Sequence, residues 1–378
     1  MTDRSTRPPT RRLVLAGGLA ATVAPAPEPA SAHGAVPPPF LLKPWMTLAD
    51  VPGASWALLD GDRIDSHAEG DARAGVTPAT VDTVFEAASL SKPVLAAAIH
   101  ALVAEGRIDL DAPVVAHIPF TRDAATRAVT PRHLLAHAGG LLNWRTEPGD
   151  LVSSFTPGSA FRYSGEGYAL LARLAETITG ESAAALVRRL VLVPAGMTRS
   201  GYGWIGDGGA VAWPHDAGGA VMTDKGPAAF RTARDAGPAR SVERWTEADR
   251  VAAAQALGKP ALPLFLIPNM AAGLWTTAGD YARFLRFARR FPAMNTPTVR
   301  VAGALSWGLG WGLEQAGARR FAWHWGQNDG VCNLFVTDLS AGTSLVVLTN
   351  GAGGQRVYGR AARVRFAREF DALTWLQP

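Results

Sequence analysis

The sequence predicts an α/β (α+β) fold: an antiparallel sheet assembled from both ends of the chain, an inserted and mainly helical lobe, and an active site between them. Three observations predict it. β-rich runs stand near residue 55 and again beyond residue 320. Helical periodicities fill the interval. Of the 378 residues, 48% are hydrophobic and 18% charged, enough apolar side chain for a large core and too much for a disordered chain.

In chain order, Arg11-Arg12 precedes an apolar stretch, Leu13 to Ala24, that is too short to span a bilayer and runs on to Ala30-Ser31-Ala32. Residues 1–32 resemble a twin-arginine (Tat) signal peptide, which implies an exported protein, periplasmic or extracellular. Residues 33–47, with Pro37 to Pro39, read as an extended linker. Residues 48–378 form the functional domain, with the α/β lobe at about 48–110 and 300–378 and the helical lobe at about 111–299.

Ser55 to Leu59 and Arg63 to His67 flank Asp60-Gly61-Asp62 as two strands of a hairpin. Helices are expected over Ser91 to Glu105, Gly167 to Thr179 and Thr277 to Arg289, each with apolar residues at helical spacing. Residues 201–260 are rich in Gly and Pro and read as an irregular excursion near the cleft. Phe321 to Trp325, Cys332 to Thr337 and Ser344 to Thr349 read as a meander, and Ala361 to Leu376 as a closing helix.

Charge excludes little by itself. The formal net charge is +5, but the leader takes Arg4, Arg7, Arg11 and Arg12 with Asp3 and Glu28, leaving the mature chain at +3. The remaining arginines are scattered, so no nucleic-acid partner is expected. No later run reaches 18 apolar residues, so no membrane span is expected in the mature chain. The single cysteine, Cys332, sits in an apolar run and reads as a core residue. His133 and His137, four apart, fit one helix face but lack a third ligand, so no metal is expected. Gly201 to Gly206 spells G-x-G-x-x-G without a preceding strand or a following helix, and no cofactor is expected.

Ser89-Leu90-Ser91-Lys92 is the motif that carries chemistry. At the start of a helix, S-x-x-K puts serine and lysine one turn apart on one face, within touching distance. Only four lysines occur, and of the residues three before them only Ser89 is a serine. The helix N-terminus adds N–H groups and a positive dipole end where an oxyanion develops. Tyr163-Ser164-Gly165 follows before a helix, and His324-Trp325-Gly326 follows in a β-run.

These motifs, in this order, resemble the serine β-lactamase and penicillin-binding-protein superfamily, in the branch of class C β-lactamases, D-alanyl-D-alanine carboxypeptidases and related esterases. Thr130 to Leu141, Ala272 to Asp280 and Leu348-Thr349-Asn350 are similar to its landmarks. The resemblance implies a β-lactamase-like fold and acyl transfer through Ser89. It implies that Lys92 and Tyr163 share the work of the base, with at least one pKa depressed. It puts His324 where class C enzymes carry a lysine, able to donate to Tyr163 or to substrate, and makes the backbone N–H groups of Ser89 and Gln327 the oxyanion hole. Gly165, Trp325 and Gly326 fall among the substrate contacts.

Two departures bear on substrate: Gly165 replaces an asparagine that contacts an acylamino group, and His324-Trp325-Gly326 replaces K-T-G. Both weaken anchoring of a β-lactam. The expected activity is hydrolysis of an ester or amide of unidentified structure, the expected partner is a small-molecule ester, amide or peptide, and Trp204, Trp213 and Trp325 are candidates for an aromatic acyl or alcohol pocket. The alternatives are a D-alanyl-D-alanine carboxypeptidase or weak β-lactamase, and a catalytically silent ligand-binding relative.

Overall fold

Gly61 takes φ +58°, the left-handed conformation a tight turn requires, and joins strand β1 (Gly53–Asp60) to β2 (Arg63–Arg73). The computed structural model describes residues 41–203 and 210–376. The expected signal peptide lies outside them.

The remaining strands are β3 (Thr77–Pro78), β4 (Phe85–Glu86), β5 (Trp275–Thr276), β6 (Val299–Ala302), β7 (Leu305–Trp307), β8 (Gly312–Ala316), β9 (Arg319–Asn328), β10 (Val331–Asp338) and β11 (Thr343–Thr349). β4 and β5 pair separately; the rest form one nine-stranded sheet ordered β3-β2-β1-β11-β10-β9-β8-β7-β6. The two chain ends meet where β1 pairs antiparallel with β11, Trp56 opposite Val347. The meander expected at the end of the chain is β9, β10 and β11.

β9 outruns its neighbour. Its pairing with β8 ends at Gly312 opposite Trp323, so residues 324–328 leave an open strand edge. Cross-strand partners share a face: Trp323 and Trp325 lie with Val336 and Leu334, whereas His324 and Gly326 lie on the other face with Phe335 and Asn333.

The helices are α1 (Lys43–Leu48), α2 (Ser91–Ala104), α3 (Pro131–Leu135), α4 (Gly165–Thr179), α5 (Ala183–Val187), α6 (Val193–Ala195), α7 (Pro227–Asp235), α8 (Glu247–Ala256), α9 (Ala278–Ala288), α10 (Gly354–Phe366) and α11 (Asp371–Trp375). In α2 every residue from Ser91 to His100 is buried, because the helix packs against α4, α5 and the turn that follows α5. In α4, Ser164 accepts from the Gly167 N–H at the start and Gly180, at φ +74°, ends the helix. Such a cap is worth about 1 kcal/mol. Among the described residues, no helix is long and apolar enough to cross a membrane.

Four expectations change. Lys43–Leu48, which begins inside the stretch read as linker, is helical, and Leu42 and Met46 are buried: apolar side chains tie down a segment that proline composition had marked as extended. The closing helix is two helices, because it starts earlier, at Gly354, and stops where Ala367 turns to φ +53°. α9 falls within the sequence range assigned to the helical lobe but packs on β1, β2 and β11 of the sheet. The 201–260 excursion contains α7 and α8, and residues 211–221 bridge to Val84 and Gly351.

Candidate active site

Ser89 sits in a single 3₁₀ turn, Ala88–Leu90, that leads directly into α2. Ala88 before it is buried with φ +49°, a conformation costing a non-glycine residue about 1–2 kcal/mol. Ser89 stays partly exposed while its neighbours Ala87, Ala88 and Leu90 are buried, so the hydroxyl surfaces from an otherwise closed segment.

Lys92 is wholly buried one turn on. Its Nζ donates to Ser89 Oγ at 2.9 Å and to the Ala271 carbonyl at 2.9 Å. It also lies 4.9 Å from the ring centre of Tyr163 and 5.9 Å from that of Tyr168. No carboxylate offsets the burial, which depresses its pKa to about 7. With that pKa, a large fraction of Lys92 is the free amine at neutral pH, within hydrogen-bond distance of the serine hydroxyl.

Tyr163 buries its hydroxyl without a hydrogen-bond partner of full geometry. Burial raises its pKa, and the nearby Ser89 draws it back only in part, so the group is a phenol and not a phenolate. Of the two bases expected from the sequence, only Lys92 is depressed.

His324 lies at the open edge of β9, wholly buried and facing Lys92 and Tyr163. Its Nδ1 is 2.6 Å from the Trp325 carbonyl, which can only accept, so Nδ1 carries the proton and Nε2 is a bare acceptor without a partner. Burial first, then the Lys92 charge, push its pKa down to about 3. The expectation that His324 donates to Tyr163 or substrate is therefore reversed: the neutral imidazole has only a lone pair to offer.

His137 is a member of this cluster that sequence reasoning placed elsewhere. α3 ends at Leu135, and His137 takes φ +55°, so it does not share a helix face with His133. His133 instead completes a capping box with Thr130. His137 accepts the Ser164 N–H on Nδ1 at 3.1 Å, which leaves the proton on Nε2, and its ring centre is 4.4 Å from that of Tyr163. No spacing signal distinguishes such a histidine from a capping one.

Gly326 is required by contact. A β-carbon there would lie 2.2 Å from the Ala87 carbonyl oxygen and 3.2 Å from the Ser89 nitrogen. The strand thus seats its backbone on the turn that carries Ser89, with Gln327 next in line and exposed. Asn328 and Asn333 donate to the Glu86 side chain and carbonyl respectively, tying β9 and β10 to β4. Burial, opposed by the Asn328 bond, lifts the Glu86 pKa to about 7.

Gly165 opens α4 beside Tyr163, and the Trp144 ring fills the space a side chain would take: a β-carbon would meet Trp144 Cζ2 at 2.2 Å. Trp325 lies against Tyr163 in a tilted arrangement, with ring centres 4.7 Å apart. Trp213 is engaged elsewhere, with the Arg73 and Arg231 guanidinium carbons 4.7 and 5.6 Å from its ring, and does not join an aromatic pocket with Trp325. Trp204 lies outside the described residues.

Ser89 and Lys92 stand one turn apart at the head of a buried helix, in the fold of the serine β-lactamase and penicillin-binding-protein superfamily. The chain belongs to the β-lactamase family, whose profile matches residues 41–369. It is 29% identical over 346 residues to esterase EstB of Burkholderia gladioli, covering 77% of this chain and 84% of that one. It is 31% identical over 170 residues to penicillin-binding protein 4 of Amycolatopsis lactamdurans, covering 40% of this chain and 44% of that one. A solved class C β-lactamase shares the fold with TM-score 0.67 and 17% identity, over 86% of this chain and 94% of that one.

Proposed function

We propose that this protein is an exported serine hydrolase that cleaves an ester or amide through a covalent acyl-enzyme on Ser89. The observation that carries the reading is the 2.9 Å contact between Ser89 Oγ and a lysine whose pKa burial has brought to about 7. Free serine is a weak nucleophile and needs a base poised near the working pH. The similarity to an esterase over most of its length supports an ester as substrate.

In the proposed reaction, neutral Lys92 takes the Ser89 proton as Oγ bonds to the carbonyl carbon. The carbonyl oxygen becomes an oxyanion held by the N–H groups of Ser89 and Gln327. Collapse breaks the bond to the leaving group, which takes a proton from Tyr163, and Tyr163 is reprotonated from Lys92. Water then repeats the sequence on the acyl-enzyme and frees Ser89. His324 and His137, both neutral, flank Tyr163 and keep cations other than Lys92 away from the relay.

A fluorophosphonate probe tests the reading. Labelling is expected on Ser89 and lost in Ser89→Ala; labelling that persists unchanged in that variant defeats it. A D,D-peptidase or weak β-lactamase is the second reading, motivated by the partial similarity to a penicillin-binding protein. It is disfavoured because His324 supplies no cation for a substrate carboxylate and Trp144 fills the space beside Gly165. Acylation by a fluorescent penicillin distinguishes the two. Burst release from a p-nitrophenyl ester would exclude the silent ligand-binding alternative. Export rests on Arg11 and Arg12, and replacing both with lysine is expected to retain the precursor in the cytoplasm.

A further inference from the structure

We propose that Phe161, Trp325 and Trp375 form a wall beside Tyr163 that holds the aromatic group of the alcohol half of an ester substrate. The proposal rests on the serine-hydrolase reading and names the substrate class of that site.

The wall comes from three separate parts of the chain: the segment before α4, the open edge of β9, and α11. Trp325 lies 4.7 Å from Tyr163, Trp375 lies 5.8 Å from Trp325, and Phe161 lies 6.0 Å from Trp375, all between ring centres. Phe161, Tyr163, Trp325 and Trp375 are each only partly buried as residues. Buried aromatics behind them, Trp307 and Trp323, lie 5.3 Å from Phe161 and 5.9 Å from Trp375, and back the wall. A row of half-exposed rings leading away from a nucleophile is a surface for a flat apolar group, which it desolvates and stacks against.

Trp375 is held in place despite its position near the chain end. Buried Glu314 accepts from the N–H groups of Asp371 at 3.2 Å and Ala372 at 3.1 Å, and pairs with Arg368 at 2.6 Å. A carboxylate at the N-terminus of α11 both satisfies open donors and fixes the helix that carries the tryptophan.

The wall serves the alcohol half because of where it starts. In the proposed reaction Tyr163 protonates the departing oxygen, and the wall begins at Trp325, tilted against Tyr163 with ring centres 4.7 Å apart. The group attached to that oxygen leaves along the wall, while the acyl group stays on Ser89.

The test compares kcat/KM for 2-naphthylmethyl acetate and ethyl acetate, which share the acyl group. In Trp375→Ala the ratio of the two is expected to fall about tenfold, with Trp375→Phe recovering most of it. A fall below threefold overturns the proposal. So does an equal fall in the ratio of ethyl 2-naphthoate to ethyl acetate, which would assign the wall to the acyl half. Calorimetry with 2-naphthalenemethanol on Ser89→Ala reads the wall without turnover: binding is expected, and weakened about tenfold when Trp375→Ala is added. Unchanged binding overturns the wall even if the hydrolase reading stands. Failure of the fluorophosphonate probe to label Ser89 in the parent protein defeats the hydrolase reading whatever the alcohol does.

Discussion

Lys92 Nζ stands 2.9 Å from Ser89 Oγ in a pocket where burial alone, with no counter-ion, lowers the lysine pKa from 10.5 to about 7. Position and proton affinity come from the same cause: the first turns of α2 are buried on all sides, so the amine reaches the serine by giving up its hydration.

The pH dependence follows with its sign. In the proposed reaction the free amine is the base, so acylation by a p-nitrophenyl ester should rise with pH through about 7 and level off above it. Between about 7 and 10.5 the unfolded chain binds the Lys92 proton and the folded chain does not, so this residue makes stability rise with pH across that window. A burst rate that falls as pH rises through 7 would show that the protonated lysine is the active form. Stopped-flow measurement from pH 5 to 9 decides it.

At Gly326 the space is absolute. Gly326→Ala sets a β-carbon against the Ala87 carbonyl and must push β9 off the nucleophile turn. Overpacking of this kind costs about 1–3 kcal/mol. The larger expected effect is on chemistry, with fluorophosphonate labelling slowed about a hundredfold while the circular dichroism spectrum stays folded. Labelling at the parent rate would show that the strand does not position the oxyanion donors.

Trp144 and Gly165 are expected to be coupled. Gly165→Asn alone collides with the Trp144 ring and should lower stability by about 1–3 kcal/mol. With Trp144→Ala added, the space opens and the cost of Gly165→Asn should largely disappear. A double-mutant cycle from urea denaturation reads the coupling, and additive effects would refute it.

His324→Lys restores the residue type of class C enzymes but in a pocket that already holds Lys92. A second amine there has no carboxylate partner and loses its hydration. Leaving a buried charge unpaired costs about 3–5 kcal/mol. The variant should melt well below the parent and gain no hydrolysis of a chromogenic cephalosporin. A stable variant that turns over cephalosporin would mean that the site relaxes around the new charge.

Much of the fold was written in local pattern. Asp60-Gly61-Asp62 calls for a turn with positive φ, the apolar spacing of α4 calls for one buried face, and Gly180 calls for a helix end. Where local pattern misled, tertiary packing had overruled it: α1 is helical because Leu42 and Met46 find a core, and the closing helix breaks at Ala367 because α11 is anchored by Glu314.

The sequence by itself determined which residues could do chemistry: one serine three before a scarce lysine at a helix start, with Tyr163 and His324 following in order. Only the tertiary structure decided their states and their company. Burial brings the Lys92 pKa to about 7 and keeps Tyr163 a phenol, the Trp325 carbonyl fixes which nitrogen of His324 is bare, and His137 and Trp375 come from distant segments to stand beside Tyr163 and Trp325. The physical reason is that proton affinity depends on desolvation and on neighbours in space, neither of which is a property of spacing along the chain.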